Sequence, residues 1–105
     1  MNRLKEIYEI LLDLKAKDIK VYDYENQSPF FDYVIVATTN SRQSNALSGH
    51  LKEKAIIDSN NSIEGRNTSW ALVDLGDIIV HLFDEHDRKF YNFDDRLLGI
   101  KQVTF

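Results

Sequence analysis

The chain has 105 residues, 43% of them hydrophobic and 29% charged, which is enough for one globular domain with one modest core. It contains no cysteine, and this excludes a disulfide framework, a thiolate metal site and a cysteine nucleophile. The formal net charge is −4. Because nucleic-acid affinity comes largely from lysine and arginine on phosphates, an acidic chain of this size is expected to bind little RNA directly.

The first residues predict a helix and no targeting signal. Apolar side chains recur at helical spacing over residues 3–16, which predicts an amphipathic helix with Lys15 and Lys17 near its negative end. Glu6 and Glu9 interrupt the apolar stretches, so neither a signal peptide nor a membrane span is expected. A cytoplasmic protein is therefore the default expectation.

Two strands of different character are predicted next. Ile19 and Val21 alternate with polar neighbours over residues 18–23, which indicates an exposed or edge-like strand. After a turn at residues 26–29, a continuous β-branched run covers residues 33–37. A strand that is apolar on both faces is typical of the middle of a sheet covered on both sides, often beside parallel neighbours.

A second helix is predicted over residues 42–57, with Asn40 or Ser41 as its N-cap. Gly49 inside this helix weakens local helix propensity by about 1 kcal/mol, so we expect it to serve close packing. Residues 58–62 are predicted to form a loop. The apolar stripe of the helix comprises Ala46, Leu47, Leu51 and Ala55.

Residues 70–75 and 78–83 predict two more strands. Gly76 and Asp77 between them suit a two-residue type II′ hairpin turn, because that turn needs a positive φ at its first position. A tail with helical turns follows. The order helix, strand, strand, helix, strand, strand predicts an α/β (α+β) fold, with a mixed sheet flanked by helices, in a single domain over residues 1–105.

Histidines and carboxylates near the last predicted strand offer a candidate metal site. For His81, a packed or hydrogen-bonded structural role is favoured over that of a general base or metal ligand. Asp84, His86 and Asp87 would complete a metal cluster, but residues 84–88 are more simply explained as a polar loop after a strand. No metal site is therefore predicted.

Asp74 and Asp77 flank the predicted turn and offer a second candidate. Paired carboxylates can hold magnesium, as in phosphoryl transfer, but Asp beside Gly is also ordinary turn chemistry. The sequence has no phosphate-binding loop of the types G-x-x-x-x-G-K or G-x-G-x-x-G. We favour the turn interpretation and predict no catalytic residue and no cofactor.

Aromatic residues in the second half of the chain are candidates for partner contact. Trp70, Phe90, Tyr91 and Phe93 are of types frequent both in cores and at interfaces, and the sequence leaves both roles open. Residues 88–91 join two basic to two aromatic side chains, a combination that also occurs in binders of single-stranded nucleic acid. On an acidic chain, one such tetrapeptide is weak support for RNA binding.

The segment from Trp70 to Phe83, WALVDLGDIIVHLF, resembles the signature of the Iojap-like family of ribosome-silencing factors. In that family a Trp leads into an apolar strand, a D-[YL]-G-D turn and a V-V-V-H-[VI]-F strand. The resemblance covers about residues 4–93, although residues 94–97 lack the terminal Trp of the closing family pattern. Further matches are Leu14 to Ile19, Asp32 to Thr38, Ser41 to Gln43, Glu64-Gly65, Arg88 and Phe90-Tyr91.

The resemblance implies a fold similar to nucleotidyltransferases without their catalytic motif, and a protein that is not an enzyme. Family members bind the large-subunit ribosomal protein numbered fourteen and block joining of the small subunit, which lowers translation when nutrients are scarce. Mitochondrial and plastid relatives act in large-subunit assembly. A large-subunit assembly factor and a residual metal-dependent nucleotidyltransferase-like enzyme therefore stand as alternatives, and a homodimer of the free protein is left open.

The expected partner surface surrounds the predicted hairpin. Its apolar members would supply buried anchors, while Asp74 and Asp77 would pair with basic residues of the ribosomal protein. Trp70 and Leu72 could instead be core residues, with only the turn touching the partner. The predicted partner-binding residues are Trp70, Leu72, Asp74, Leu75, Gly76, Asp77, Arg88, Phe90 and Tyr91.

Overall fold

The computed structural model describes residues 2–53, 62–65 and 68–105, which form an α+β fold around a mixed sheet. The fold class predicted from the sequence is confirmed. The elements are α1 (Asn2–Asp13), β1 (Lys17–Asp23), β2 (Tyr33–Thr38), α2 (Ser41–Glu53), β3 (Ser62–Glu64), β4 (Trp70–Asp74), β5 (Ile78–Phe83), α3 (Glu85–Tyr91), a 3₁₀ helix (Phe93–Leu97) and β6 (Lys101–Val103).

The strand order is β3-β4-β5-β2-β1-β6, which places β2 inside the sheet. β2 runs parallel to β5 and antiparallel to β1. Because successive side chains alternate between faces, burial of Val34, Ile35, Val36 and Ala37 shows that both faces of β2 are covered. The prediction of a central strand with a parallel neighbour is confirmed, and the crossover that parallel pairing requires includes α2.

Different parts of the chain cover the two faces of the sheet. On the helix face, Leu11 of α1 and Leu47 of α2 join a large buried cluster around Ile35. On the opposite face, which we call the tail face, Leu97 of the 3₁₀ helix joins a smaller cluster around Val36. The tail face is therefore the more thinly covered of the two.

The first helix ends at Asp13, earlier than the predicted residue 16. Lys15 adopts a left-handed conformation with φ of 65°. The N–H of Ala16 donates to Leu11 O and that of Lys15 to Leu12 O, both at 3.0 Å, which is the bonding pattern of a Schellman cap. Glycine usually occupies the left-handed position after a helix. Because a lysine stands there in this chain, the sequence does not indicate where the helix ends.

The prediction that β1 is exposed or edge-like is wrong for its second half. Val21–Asp23 pair antiparallel with Lys101–Val103 of β6, so β6 forms that edge of the sheet. Neither β6 nor β3 was expected from the sequence. Strands of three residues are too short to show an alternating pattern, and their position depends on pairing with distant segments.

The second helix begins with a reciprocal capping box. Asn40 Oδ1 accepts from the Gln43 N–H and Gln43 Oε1 accepts from the Asn40 N–H, each at 2.8 Å. Asn40 is therefore the cap, as one of the two predicted alternatives. Leu47 and Leu51 are buried, which confirms the apolar stripe as far as the described residues extend.

The expectation that Gly49 serves close packing is wrong. Gly49 is exposed, and a Cβ built on it would meet nothing within 4 Å. The end of the predicted helix, including Ala55, and loop residues 58–61 lie outside the described residues, while Ser62 already belongs to β3.

The hairpin between β4 and β5 has the predicted two-residue turn. Gly76 has φ of 87°, whereas Asp77 is not among the residues with positive φ, and the Leu75 N–H donates to Ile78 O at 2.9 Å. Positive φ at the first turn position alone fits type II′. Among residues 2–53, 62–65 and 68–105, no helix has the length and apolar character needed to cross a membrane.

Candidate partner-binding face

Five aromatic side chains meet at the end of the tail face where β4 begins. Trp70 stacks on Phe83 with ring centroids 4.8 Å apart and lies 5.3 Å from Tyr91 and 5.9 Å from Phe93. Trp70 remains half-buried, so it packs on the core with part of its surface left accessible. We call Trp70, His81, Phe83, Tyr91 and Phe93 the aromatic cluster.

His81 is the polar member of the aromatic cluster. Its Nδ1 accepts a hydrogen bond from Trp70 Nε1 at 3.2 Å, and its ring centroid lies 4.4 Å from that of Phe93. Burial lowers the pKa of His81 to about 4, so the ring is neutral at neutral pH. The prediction of a packed, hydrogen-bonded structural histidine is confirmed.

A tight turn before β4 positions Trp70. Gly65 has φ of 71°, and a Cβ at this position would lie 2.3 Å from Trp70 O. The Thr68 hydroxyl lies 2.5 Å from Gly65 O and 3.0 Å from Trp70 O, which closes the turn. Only glycine fits here, and this gives a physical reason for the Glu64-Gly65 pair noted in the sequence.

The tail face remains open along β4. Trp70, Leu72 and Asp74 alternate onto this face and are half-buried, while Ala71 and Val73 point into the core beneath the helices. Leu72 lies opposite His81 on β5 and opposite Glu64 on β3, but it packs into neither buried cluster. The face thus presents apolar surface with carboxylates beside it.

The segment after β5 is a helix, so the prediction of a polar loop at residues 84–88 is wrong. Asp84 caps α3, and its Oδ1 accepts from the Asp87 N–H at 2.7 Å. Hydrogen bonds to Asp87, first from Ser69 and then from His86, lower the pKa of the Asp87 carboxyl. Placing a carboxylate at the N-cap and in the first turn also suits the helix dipole.

The last turn of α3 exposes two large aromatic side chains. Phe90 is 71% exposed and Tyr91 is 47% exposed. The rings contact each other edge to face at 5.1 Å, and Tyr91 also contacts Trp70. An exposed ridge on α3 therefore continues the apolar surface of β4.

Arg88 is too buried to contact a partner directly, because it is only 7% exposed. Its guanidinium forms an ion pair with Asp94, with Nε and Oδ2 3.2 Å apart. Leu75, another predicted partner-binding residue, is 3% exposed. Both residues can support a partner surface from below without touching the partner.

The hairpin turn lies far from the aromatic cluster. Asp77 forms an ion pair with Arg3, and the Asp74 carboxylate accepts from the Gly76 N–H at 2.8 Å. β5 separates the turn from α3 by six residues, about 17 Å at the usual rise per residue. The structure therefore divides the nine predicted residues between two locations instead of one surface.

The candidate metal cluster has other local roles. Ligand atoms of Asp84, His86 and Asp87 lie within 4.8 Å of one another, but Asp84 caps the helix and Asp87 accepts from Ser69. His81 is buried in the aromatic cluster. The arrangement is explained by helix capping and needs no ion.

A concavity of about 280 Å³, lined by polar and charged side chains, lies between β1 and α3. Lys17, Lys20 and Lys89 line it, but so do Glu85 and Asp94. Charges of both signs leave no clear preference for an anion or a cation. The concavity therefore assigns no cofactor.

Three residues important to the site were missed in the sequence. Arg3 pairs with Asp77, and Thr38 and Asp94 bind Arg88. Arg3 and Thr38 are remote from their partners in the chain, so periodicity and short motifs give no signal for these contacts. Asp94 is near Arg88 in the chain, but residues 94–97 were interpreted only as an incomplete match to the closing family pattern.

Comparison with known proteins gives a consistent result. Residues 1–98 match the family model described as "Ribosomal silencing factor during starvation". The chain is 36% identical over 88 residues to ribosomal silencing factor RsfS of Bacillus subtilis, covering 78% of this chain and 73% of that protein. It is also 36% identical over 99 residues to RsfS of Haemophilus influenzae, covering 90% and 96%.

A solved structure supports the same relationship. The crystal structure of a protein from Chromobacterium violaceum is similar with a TM-score of 0.78 at 32% identity, covering 99% of this chain and 89% of that one. The similarity covers nearly the whole chain, so that protein shares the fold described above.

Proposed function

Because the chain belongs to the family of ribosomal silencing factors, we propose that it binds the large ribosomal subunit and keeps the small subunit from joining. The proposed partner is the large-subunit ribosomal protein numbered fourteen, and the proposed outcome is lower translation under nutrient limitation. We place this action in the cytoplasm and in one domain spanning the chain.

The observation that carries the proposal is the open apolar face beside α3. Trp70, Leu72, Phe90 and Tyr91 present aromatic and aliphatic surface that the chain itself leaves partly uncovered. Aromatic anchors on a rigid support are typical of binding hot spots, because they bury much area at little conformational cost. We propose this face as the contact with the ribosomal protein.

Charge supports a basic protein as the partner. Asp74 and Glu64 lie on the same face of the sheet as Leu72, and no ion pair within the described residues occupies either carboxylate. The whole chain carries a net charge of −4. Complementary charge would speed the encounter with a basic surface, and repulsion from phosphates would keep direct RNA contact small.

The proposed mechanism is steric and involves no chemical step. Asp77, one of the two carboxylates considered for magnesium, is held in an ion pair by Arg3 and so does not pair with Asp74 around an ion. We therefore favour silencing over the nucleotidyltransferase-like alternative. An assembly factor would use the same docking face and differ only in when it binds.

Sedimentation with separated ribosomal subunits tests the proposal. We expect the protein to pellet with large subunits alone and to reduce the formation of whole ribosomes in proportion to its occupancy. A variant with Tyr91→Ala should pellet less at the same concentration, because one exposed anchor is removed. Leu12→Ala is the matched control, since Leu12 is exposed to the same 47% but lies on α1.

Two results would contradict the proposal. Pelleting with neither subunit at physiological salt would remove the ribosome as the target. Pelleting with large subunits without any effect on subunit joining would favour an assembly role over silencing.

A further inference from the structure

The short helix α3 is attached to the sheet through a charged side chain. Arg88 is the buried residue of this seven-residue helix, whereas Phe90 is largely exposed and Tyr91 is half-exposed beside Trp70. A helix of this length has little stability of its own, so tertiary bonds must hold it in place. The position of the two aromatic side chains therefore depends on what holds Arg88.

The Arg88 guanidinium joins three other elements. Its Nη1 donates to Asp18 O of β1 at 2.6 Å and to Thr38 Oγ1 of β2 at 2.9 Å. Its Nε donates to Asp94 Oδ2 of the 3₁₀ helix at 3.2 Å, and Nη2 reaches Asp94 Oδ1 at 3.4 Å. A planar guanidinium can serve these directions together, whereas a lysine ammonium cannot.

Asp94 extends the same link to the aromatic cluster. It lies in the 3₁₀ helix directly after Phe93, whose ring contacts Trp70, His81 and Phe83. The ion pair between Arg88 and Asp94 thus connects α3, which carries Tyr91, to the 3₁₀ helix, which carries Phe93. Both aromatic rings border Trp70.

We propose that Arg88 and Asp94 are a positioning pair for the docking face, which fixes Tyr91 and Phe93 at their distances from Trp70 without touching the partner. The role in docking rests on the proposed function. The positioning itself can be measured on the free protein, so failure of one idea is distinguishable from failure of the other.

The first experiment uses Trp70, the one tryptophan in the sequence, as a fluorescent reporter of the cluster. Arg88→Lys keeps the charge and Asp94→Asn keeps the shape, yet each removes part of the link. We expect both to shift the emission maximum of Trp70 while the far-ultraviolet circular dichroism of the sheet is retained. Arg96→Lys is the control, because Arg96 is exposed in the same 3₁₀ helix.

Unchanged Trp70 emission in both variants would overturn the positioning role, whatever happens on ribosomes. If Arg88→Lys does not fold, Asp94→Asn replaces it in every measurement, since Asp94 is partly solvated and its loss is better tolerated. An equal emission shift in Arg96→Lys would also overturn it, because any change in the 3₁₀ helix would then suffice.

The second experiment is a double-mutant cycle on large-subunit affinity. Arg88→Lys and Tyr91→Ala are each expected to weaken binding about tenfold, and together by little more, because both act through the same side chain. A loss of about a hundredfold in the double variant means independent effects and contradicts the proposal. Absence of binding by the unaltered protein would refute the proposed function and leave the fluorescence test decisive for positioning.

Discussion

The two ends of the β4–β5 hairpin are built in different ways. At one end, Trp70 packs against Phe83 and Tyr91, and part of its surface stays accessible. At the other end, the Asp77 carbonyl accepts from the N–H groups of Asp32 and Tyr33, at 2.7 Å and 3.1 Å. The first end presents side chains outward, while the second uses its polar groups to close the fold.

The comparison teaches that a continuous sequence motif need not form one functional surface. Residues 70–83 are uninterrupted in sequence, but the turn in their middle lies one strand length away from Trp70 and Phe83, which pair with each other. We therefore expect changes at the aromatic end to affect docking, and changes at the turn to leave docking nearly unchanged.

The largest expected difference between the ends concerns their glycines. Gly65→Ala should lower the free energy of unfolding by about 3 kcal/mol, because the new Cβ would lie 2.3 Å from Trp70 O at a positive φ. Gly76→Ala should cost about 1 kcal/mol, since φ is positive there too but the space is empty. Urea unfolding of both variants measures this contrast, and equal losses would contradict it.

The next effect is a dependence of stability on pH that comes from the aromatic end. The pKa of His81 is about 4 in the folded chain, below its ordinary 6.5. Between these values the unfolded chain binds more protons, so stability should fall by about 3 kcal/mol as the pH drops through this range. Urea unfolding at about pH 7 and about pH 4.5 detects most of this loss.

A histidine variant identifies the group responsible. His81→Asn can still accept the hydrogen bond from Trp70, because its Oδ1 is bonded to Cγ as Nδ1 is, and we expect it to flatten the pH dependence between about 4 and about 6.5. A slope equal to that of the unaltered chain would show that another group titrates.

A smaller effect distinguishes docking from stability. Tyr91→Ala should weaken large-subunit binding about tenfold and change the free energy of unfolding by less than about 1 kcal/mol, because Tyr91 is 47% exposed. Equilibrium sedimentation and thermal unfolding of one preparation measure both. A loss of stability without a loss of affinity would assign Tyr91 to the core.

The smallest effect is expected at the turn end. Asp77→Asn removes an ion pair whose side chains are 37% and 41% exposed, so the cost should be below about 1 kcal/mol. Large-subunit affinity should stay within about twofold. If Asp77→Asn weakened binding more than Tyr91→Ala, the docking surface would have to be moved to the turn.

Several features could be predicted because local chemistry determines them. The turn at Gly76 follows from a glycine at the position that needs positive φ, and the central position of β2 follows from its apolar run. The N-cap at Asn40 was likewise one of two predicted residues, since short polar side chains satisfy free N–H groups.

Other features depend on contacts that no local pattern contains. Arg88 looks like a surface cation in sequence, but it is buried because Asp18 O and Thr38 supply acceptors from other strands. Residues 84–88 look like a loop because their helix is short and polar, and the Asp84 cap was not anticipated. The open tail face can be identified only from the pairing of β4 with β5 in the sheet.

The parallel pairing of β2 with β5 has a consequence for the order of folding. It places Tyr33 beside Ile78, although α2 and two further strands lie between them in the chain. The two antiparallel hairpins, β1–β2 and β4–β5, need only short loops and can form early. Joining them must close a long loop, so we expect that step to limit the folding rate, and substitutions in the middle of β2 to slow folding more than substitutions in α3.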